Sequence, residues 1–308
     1  MAFQLDGKLV VGISSRALFD LERENAIFET EGIEIYAKYQ REHENDVLKP
    51  GTAFSLVRAL HQLNAGGKKL TEIIIMSRNT ADTSLRIFNS IEHYGLDITR
   101  AALVGGAPIV KYLNAFHTDL FLSANGSDVQ EAVDAGVAAG LIYSYPEVKI
   151  NPKAEIPQIR IAFDGDAVLF SDEAEKIYQE KGLEAFTLYE QENAKKPLPE
   201  GPFAKLIKTI SYVQQQFPPD AVPIRTALVT ARNAPAHERV IRTLRAWNVR
   251  IDEAFFLGGI KKSEVLSAFG AHIFFDDQSA HLRAASKVVP AAKVPYKKKK
   301  SKRVWEYE

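Results

Sequence analysis

The chain repeats itself with a period of about 150 residues, and this repeat constrains the fold more than any other feature. Residues 27–51, IFETEGIEIYAKYQREHENDVLKPG, align without a gap with residues 177–201, IYQEKGLEAFTLYEQENAKKPLPEG. Residues 103–125 align in the same way with residues 256–278, and both of these segments contain a Gly-Gly pair. Chance rarely keeps one register over such long spans, so we interpret the 308-residue chain as a tandem duplication. The alternative is two unrelated α/β domains that share only generic strand and turn residues.

The sequence patterns of the two units predict the same alternation of strands and helices. The apolar stretches LVVGI and IRIAF begin the two units, and EIIIM and TALVT follow after a polar, helix-rich segment. Strands that alternate with helices are typical of a parallel sheet with helices on both faces. We therefore predict an α/β protein made of two tandem Rossmann-like units with parallel sheets, each carrying a helical cap insertion.

The same comparison predicts the domain boundaries. The first unit covers residues 1–143, a proline-bearing linker covers 144–158, and the second unit covers 159–296. Residues 171–218 follow the first strand of the second unit and are expected to form its cap. Residues 297–308 are a basic tail, which we expect to be solvated because terminal charge runs usually are. A phosphate-binding or nucleic-acid-binding arm is the alternative for this tail.

The composition argues against several classes of protein. The chain has no cysteine, which excludes disulfides, thiol catalysis and thiolate metal sites. Its formal net charge is zero, so no global basic field favours nucleic acid or an anionic membrane. No apolar stretch reaches the ~20 residues of a membrane span, and the N-terminus lacks the pattern of a signal peptide. We expect a cytoplasmic protein without nucleic-acid or membrane partners, and the sequence leaves a homo-oligomer open.

Two carboxylates follow the first strand of the second unit. In IAFDGDAVLFSD (161–172), Asp164 and Asp166 come directly after an apolar run, where an uncompensated charge costs several kcal/mol. In parallel α/β sheets the ligand binds beyond the carboxyl ends of the strands. Polar residues also stand at the later strand ends of this unit: Thr230, Lys261, Lys262, Asp276 and Asp277. Clustered carboxylates favour a hard cation such as Mg²⁺, and a lysine and a hydroxyl beside it suit a phosphate dianion.

This order of residues at predicted strand ends resembles the haloacid dehalogenase (HAD) superfamily of phosphohydrolases. The stretches SSRALF, YQREHEN, FDGDAVLFSDE, LVTARN and HIFFDDQ further resemble cytosolic 5′-nucleotidases of type I, over nearly the whole chain. The resemblance implies a Mg²⁺-dependent hydrolase that takes a nucleoside 5′-monophosphate as substrate. The alternatives are a phosphatase for another small phosphate ester and a non-catalytic nucleotide-binding regulatory protein.

The resemblance also implies the chemistry of the two leading acids. Asp164 would be the nucleophile that forms an aspartyl-phosphate. Asp166 would protonate the leaving ribose oxygen and then activate water, with its backbone carbonyl on Mg²⁺.

The remaining strand-end residues would bind phosphate and metal. Thr230 would hold a phosphoryl oxygen, and Asp276 would complete the Mg²⁺ site with Asp277 as a ligand or a supporting residue. Lys262 would neutralise the phosphate. The family places this lysine after a residue such as proline, whereas Lys261 and Lys262 are adjacent here, so both remain candidates.

Three aromatic residues of the predicted cap, Phe186, Tyr189 and Phe203, could stack on a nucleotide base. Core packing is the alternative for each of them, because apolar residues at helical spacing usually face the core.

The first unit lacks the chemistry of the second. Ser14 and Arg16 stand where the second unit has its two leading acids, Ser77 stands at the threonine position, and Ile109 stands at the lysine position. We therefore expect this half to be catalytically silent. Ser14, Arg16 and Ser77 could still bind an anion, and the resemblance makes a nucleotide effector the candidate. The alternative is that this half only completes the fold.

Overall fold

The computed structural model describes residues 4–67, 69–143, 151–153 and 156–296. Much of the predicted linker and all of the basic tail lie outside the described residues.

The two halves contain the same series of elements. The strands of the first half are β1 (Leu9–Ile13), β2 (Thr71–Ser77), β3 (Arg100–Leu103), β4 (Leu120–Ser123) and β5 (Ala138–Tyr143). Its helices are α1 (Ser15–Leu18), α2 (Glu22–Glu31), α3 (Ile33–Glu42), α4 (Phe54–His61), α5 (Leu85–His93), α6 (Val110–Ala115) and α7 (Gly126–Asp134), with a 3₁₀ helix at Gln62–Gly67. The strands of the second half are β6 (Ile159–Phe163), β7 (Ile224–Thr230), β8 (Glu253–Phe256), β9 (Ile273–Asp276) and β10 (Ala291–Lys293). Its helices are α8 (Glu173–Glu192), α9 (Ala204–Gln214), α10 (His237–Ala246), α11 (Lys262–Phe269) and α12 (Ser279–Ala285).

All ten of these strands belong to one sheet, in the order β3-β2-β1-β4-β5-β10-β9-β6-β7-β8. Neighbouring strands are parallel within each half, and the two halves meet where β5 and β10 pair in antiparallel fashion. The strand order outward from this junction is the same on both sides, which is the arrangement that a two-fold axis produces. The predicted α/β class with a largely parallel sheet is confirmed. The halves share this sheet, and their division into separate domains stays a prediction.

The hydrophobic core is shared between the halves on one face of the sheet. Helix α4 of the first half packs against β6, and helix α9 of the second half packs against β1. The largest cluster of buried apolar side chains accordingly contains residues of both halves. On the opposite face each half has its own smaller cluster, beneath α6 and α7 in one and beneath α11 and α12 in the other. Within the described residues, no helix is both long and apolar enough to span a bilayer.

The segment predicted to be a cap contains two helices in different environments. Helix α9 is part of the shared core, with Leu206, Ile207 and Ile210 fully buried. Helix α8 lies near the carboxyl ends of the strands and bends at Gly182, whose φ of 81° falls in the left-handed region that glycine tolerates best. Gly32 makes the same bend between α2 and α3, with φ 86°. The cap over residues 171–218 stays a prediction, and the α9 part of this interval belongs to the shared core.

The junction between the halves generates a stability prediction. A Cβ atom added at Gly140 in β5 would lie 2.9 Å from Cβ of Ala292 and 3.1 Å from the ring of Phe275. We expect Gly140→Val to lower the free energy of unfolding by about 1–3 kcal/mol through overpacking, measured by chemical denaturation. Gly126→Ala is the control, because its nearest neighbour would be 3.8 Å away, at Leu141. Equal stabilities for the two variants would contradict the close packing at the junction.

Candidate active site

The strand-end residues of the second half converge on one buried lysine. Asp164 directly follows β6, Asp276 ends β9, and Lys262 is the first residue of α11. The Lys262 Nζ atom donates hydrogen bonds of 2.7 Å to Asp164 Oδ1 and of 2.7 Å to Asp276 Oδ2. All three side chains are almost completely buried. Residues that are far apart in the sequence therefore form one charged cluster at the edge of the sheet.

The adjacent lysine has a different position. Lys261 directly precedes α11 and is exposed to solvent, whereas Lys262 is 6% exposed. Of the two lysines that the sequence leaves open, Lys262 is the one that the structure brings to the carboxylates.

Three carboxylates of the cluster have the arrangement of a cation site. One oxygen atom each from Asp164, Asp276 and Asp277 lies within 4.8 Å of the other two, and all three residues are buried. The Oδ2 atom of Asp277 accepts a hydrogen bond from the Tyr296 hydroxyl, while its buried Oδ1 atom has no hydrogen-bond partner. An unpaired buried carboxylate oxygen beside two further carboxylates fits the hard, oxygen-ligated cations.

The acids of the cluster differ in their affinity for protons. Burial raises the pKa of Asp164 well above its usual value, and Lys262 offsets only part of this effect. Burial also acts to raise the pKa of Asp276, but His281 and Lys262 outweigh it, so this pKa is lowered. Burial raises the pKa of Asp277 to about 6, against the opposing hydrogen bond from Tyr296. A bound cation would favour the charged form of all three acids.

Thr230 and Gly165 shape the floor of the site. Thr230 ends β7, is 1% exposed, and accepts a hydrogen bond of 3.2 Å from the backbone N–H of Arg232. A Cβ atom at Gly165 would lie 3.3 Å from the Thr230 hydroxyl, so the absence of a side chain lets the two strand ends approach. Ala167 follows with φ 61°, a left-handed conformation that is uncommon outside glycine and is found at functional turns.

Asp166 belongs to a chain of buried ion pairs that the sequence analysis missed. Arg232 donates to both carboxylate oxygens of Asp166, at 2.8 and 2.7 Å, and also to Glu190 on α8. Glu190 in turn accepts a hydrogen bond of 2.9 Å from Arg239 on α10. Arg232, Glu190 and Arg239 are all at most 4% exposed. This chain connects the acid after β6 with the helix that lies above the strand ends.

A sequence signal for this chain exists in the repeat. In the first half, Gln40 and Asn79 occupy the positions of Glu190 and Arg232. The two charged residues are thus both absent from the half that lacks the acids, and this joint difference could have linked them to the site.

The three aromatic candidates have different surroundings. The ring of Phe203 is fully buried against Phe163 and Phe275, which favours the core-packing alternative for this residue. Tyr189 donates its hydroxyl to a glutamate of α8, and its ring lies 5.2 Å from the Arg239 guanidinium. Phe186 is half-buried, with its ring 5.4 Å from the guanidinium that binds Asp166. Phe186 is therefore the candidate whose ring lies beside the guanidinium group that binds Asp166.

The corresponding residues of the first half lie together without the acids. Ser14 directly follows β1 and Ser77 ends β2, the places that Asp164 and Thr230 take in the second half. The Ser77 hydroxyl lies 3.2 Å from that of Ser15, and the Ser14 hydroxyl accepts from a backbone N–H of α1. Arg16 forms an ion pair with Glu22 at 3.0 Å and donates to Asn25 at 2.7 Å. Ile109, at the position of the lysine, is 1% exposed and belongs to an apolar cluster.

The buried ion-pair chain generates a prediction. Glu190→Gln leaves the buried Arg239 guanidinium without a carboxylate partner and Arg232 with Asp166 alone, so we expect it to lower the free energy of unfolding by about 3 kcal/mol, measured by chemical denaturation. Glu192→Gln on the exposed side of the same helix should change it by less than about 0.5 kcal/mol. If both variants unfold like the unmodified protein, Glu190 does not hold α8 to the site.

Comparison with known proteins identifies relatives along the whole chain. A family model described as 5′-nucleotidase matches residues 1–301. Cytosolic 5′-nucleotidase 1B of Homo sapiens is 39% identical over 303 residues, which cover 94% of this chain and 49% of that protein. The chain thus spans about half the length of this curated relative. No solved structure matches the present chain.

Proposed function

Because the chain belongs to the 5′-nucleotidase family, we propose that it removes the 5′-phosphate from nucleoside monophosphates. The observation that carries this proposal is the buried Lys262, whose Nζ atom contacts both Asp164 and Asp276 at the ends of parallel strands. Hydrolysis of phosphate monoesters is among the slowest uncatalysed reactions and needs a positioned nucleophile together with charge neutralisation. The cluster supplies both.

Asp164 and Asp166 have different roles in the proposed reaction. Asp164 attacks phosphorus and forms an aspartyl-phosphate, while Asp166 donates a proton to the leaving ribose oxygen. Asp166 then takes a proton from the water that hydrolyses this intermediate, which releases phosphate and regenerates Asp164. Lys262 neutralises the phosphoryl group, and Thr230 donates a hydrogen bond from its hydroxyl group to a phosphoryl oxygen. Since Arg232 binds both Asp166 and Glu190, the position of Asp166 depends on that of helix α8.

We propose Mg²⁺ as the cofactor. Asp164, Asp276 and the backbone carbonyl of Asp166 would hold it, with Asp277 as a further ligand or a supporting residue. The three clustered carboxylates and the unpaired Asp277 Oδ1 atom support this assignment. When bound, the cation supplies additional charge neutralisation for the phosphoryl oxygens.

We propose that the base of the substrate contacts the aromatic rings of α8 and that the protein is cytosolic. The rings of Phe186 and Tyr178 lie edge to face at 6.3 Å on α8, and Tyr178 is 48% exposed, which leaves apolar surface for a base. The name of the human relative supports a cytosolic location.

A substrate panel tests the proposed activity. Phosphate release is measured from four nucleoside monophosphates and several sugar phosphates, with Mg²⁺ and with EDTA. We expect release from a nucleoside monophosphate, its loss in EDTA, and a decrease of at least about 10³-fold in Asp164→Asn, whose near-isosteric amide cannot act as the nucleophile. Circular dichroism of the variant checks its fold. Preference for a sugar phosphate would favour the other phosphatase, and absence of release from every substrate would favour the regulatory protein.

The neighbouring lysines provide a matched pair of variants. Lys262→Met removes the ammonium group between Asp164 and Asp276, so we expect kcat/KM to fall by about 10²-fold or more. Lys261→Met alters an exposed residue and should leave kcat/KM nearly unchanged. A larger loss of activity in Lys261→Met than in Lys262→Met would reverse the assignment.

A further inference from the structure

A cavity of about 680 Å³ lies in the first half, at the carboxyl ends of β1, β2 and β4. The second half has its charged cluster at the corresponding strand ends, which lie on the opposite edge of the sheet because β5 and β10 are antiparallel. The wall includes residues of the loops after these strands and of helices α2 and α3. Its volume is within the range of about 300–1,000 Å³ that is usual for sites of small molecules.

The acids and the lysine of the second-half site have no counterparts in this cavity. Ser14 and Ser123 stand at the positions of Asp164 and Asp276, and the only carboxylate cluster with cation-site geometry among the described residues is the one in the second half. No lysine is among the described residues of the wall. Both arginines of the wall have partners: Arg16 binds Glu22 and Asn25, and Arg78 binds Asp128 at 2.9 Å.

The aromatic part of the site is retained. Phe28 and Tyr36 line the cavity and lie edge to face, with ring centroids 5.8 Å apart. They occupy the same positions in the repeat as Tyr178 and Phe186, whose centroids are 6.3 Å apart. Phe28 and Tyr178 are each 48% exposed. The repeat has thus kept the aromatic pair on the cap helices while the phosphate-binding residues changed.

Polar groups at the wall complement this aromatic pair. The Nδ2 atom of Asn79 and the Nε atom of Arg16 are buried donors without a hydrogen-bond partner. The Oδ1 atom of Asn79 lies 3.3 Å from the Tyr36 hydroxyl, which holds this amide beside the aromatic pair. An unpaired buried donor is energetically unfavourable, so a ligand gains affinity if one of its acceptors pairs with it.

We propose that the first-half cavity binds a nucleoside, recognised by its base and sugar and without a contribution from phosphate. This inference rests on the proposed function, because the aromatic pair is interpreted as a base contact on the strength of its counterpart in the nucleotidase site. The ligand is then chemically the product of the second half. It differs from the nucleotide effector expected from the sequence, since the acids and the lysine of the second-half site are absent and both arginines of the wall already have carboxylate partners.

Calorimetric titration of the full chain in EDTA tests the proposal. Adenosine, guanosine, cytidine, uridine and inorganic phosphate are titrated separately. We expect at least one nucleoside to bind, and Phe28→Ala and Asn79→Ala each to weaken that site roughly tenfold, as loss of a base-stacking ring does elsewhere. Phe28→Ala should leave the KM for nucleoside monophosphate unchanged. The corresponding nucleoside monophosphate should bind this site no more tightly than the nucleoside.

The matched control is Tyr178→Ala, the same change at the equivalent position of the second half. It should raise the KM for the monophosphate and leave the first-half site intact. The proposal is overturned if no nucleoside binds, if binding survives both first-half variants, or if inorganic phosphate displaces the nucleoside. Phosphate release by the unmodified protein separates the two hypotheses. Release without a first-half site refutes only this inference, whereas no release from any monophosphate refutes the proposed function.

Discussion

The contact of Lys262 with Asp164 and Asp276 is the interaction on which the site depends. Two carboxylates buried this close together repel each other, and each loses its hydration. One ammonium group, 2.7 Å from an oxygen of each, offsets part of this cost and joins the end of β6, the end of β9 and the start of α11. Because a buried lysine without its acids would be equally unfavourable, the three residues are mutually dependent. The cluster therefore holds these strand ends and the start of α11 together, and it is also the proposed phosphate site.

A second buried network extends this dependence to helix α8. Arg232 and Glu190 link Asp166 to the helix above the site, so a movement of α8 changes the surroundings of the acid. The first half has neutral residues, Gln40 and Asn79, at the equivalent positions, and its own cap helices remain in place. The same backbone framework therefore accommodates either the charged pair or the neutral pair at these positions. What differs between the halves is the charge at the strand ends, and with it the chemistry that each half can perform.

The half without the acids is nonetheless part of the same folded body. Its helix α4 covers β6, the strand that leads to Asp164, and helix α9 covers β1 in return. The junction strands pair in antiparallel fashion, and Gly140 lets β5 and β10 approach closely. Removing the first half would expose one face of the strands that carry the site. The first half stabilises the fold because its helices bury apolar surface of the second half. This contribution does not depend on which ligand the first-half cavity binds.

The sequence by itself determined the repeat, the parallel α/β class and the strand ends that carry Asp164, Thr230 and Asp276, because these features are written in local apolar runs and the polar residues that end them. Only the tertiary structure decided between Lys261 and Lys262, since neighbouring residues at a helix start point in different directions. It also placed Phe203 in the core, paired Glu190 with Arg232, and joined the halves in one sheet. Side-chain direction and long-range pairing depend on packing between segments that are distant in the sequence. They therefore cannot be predicted from a local sequence pattern.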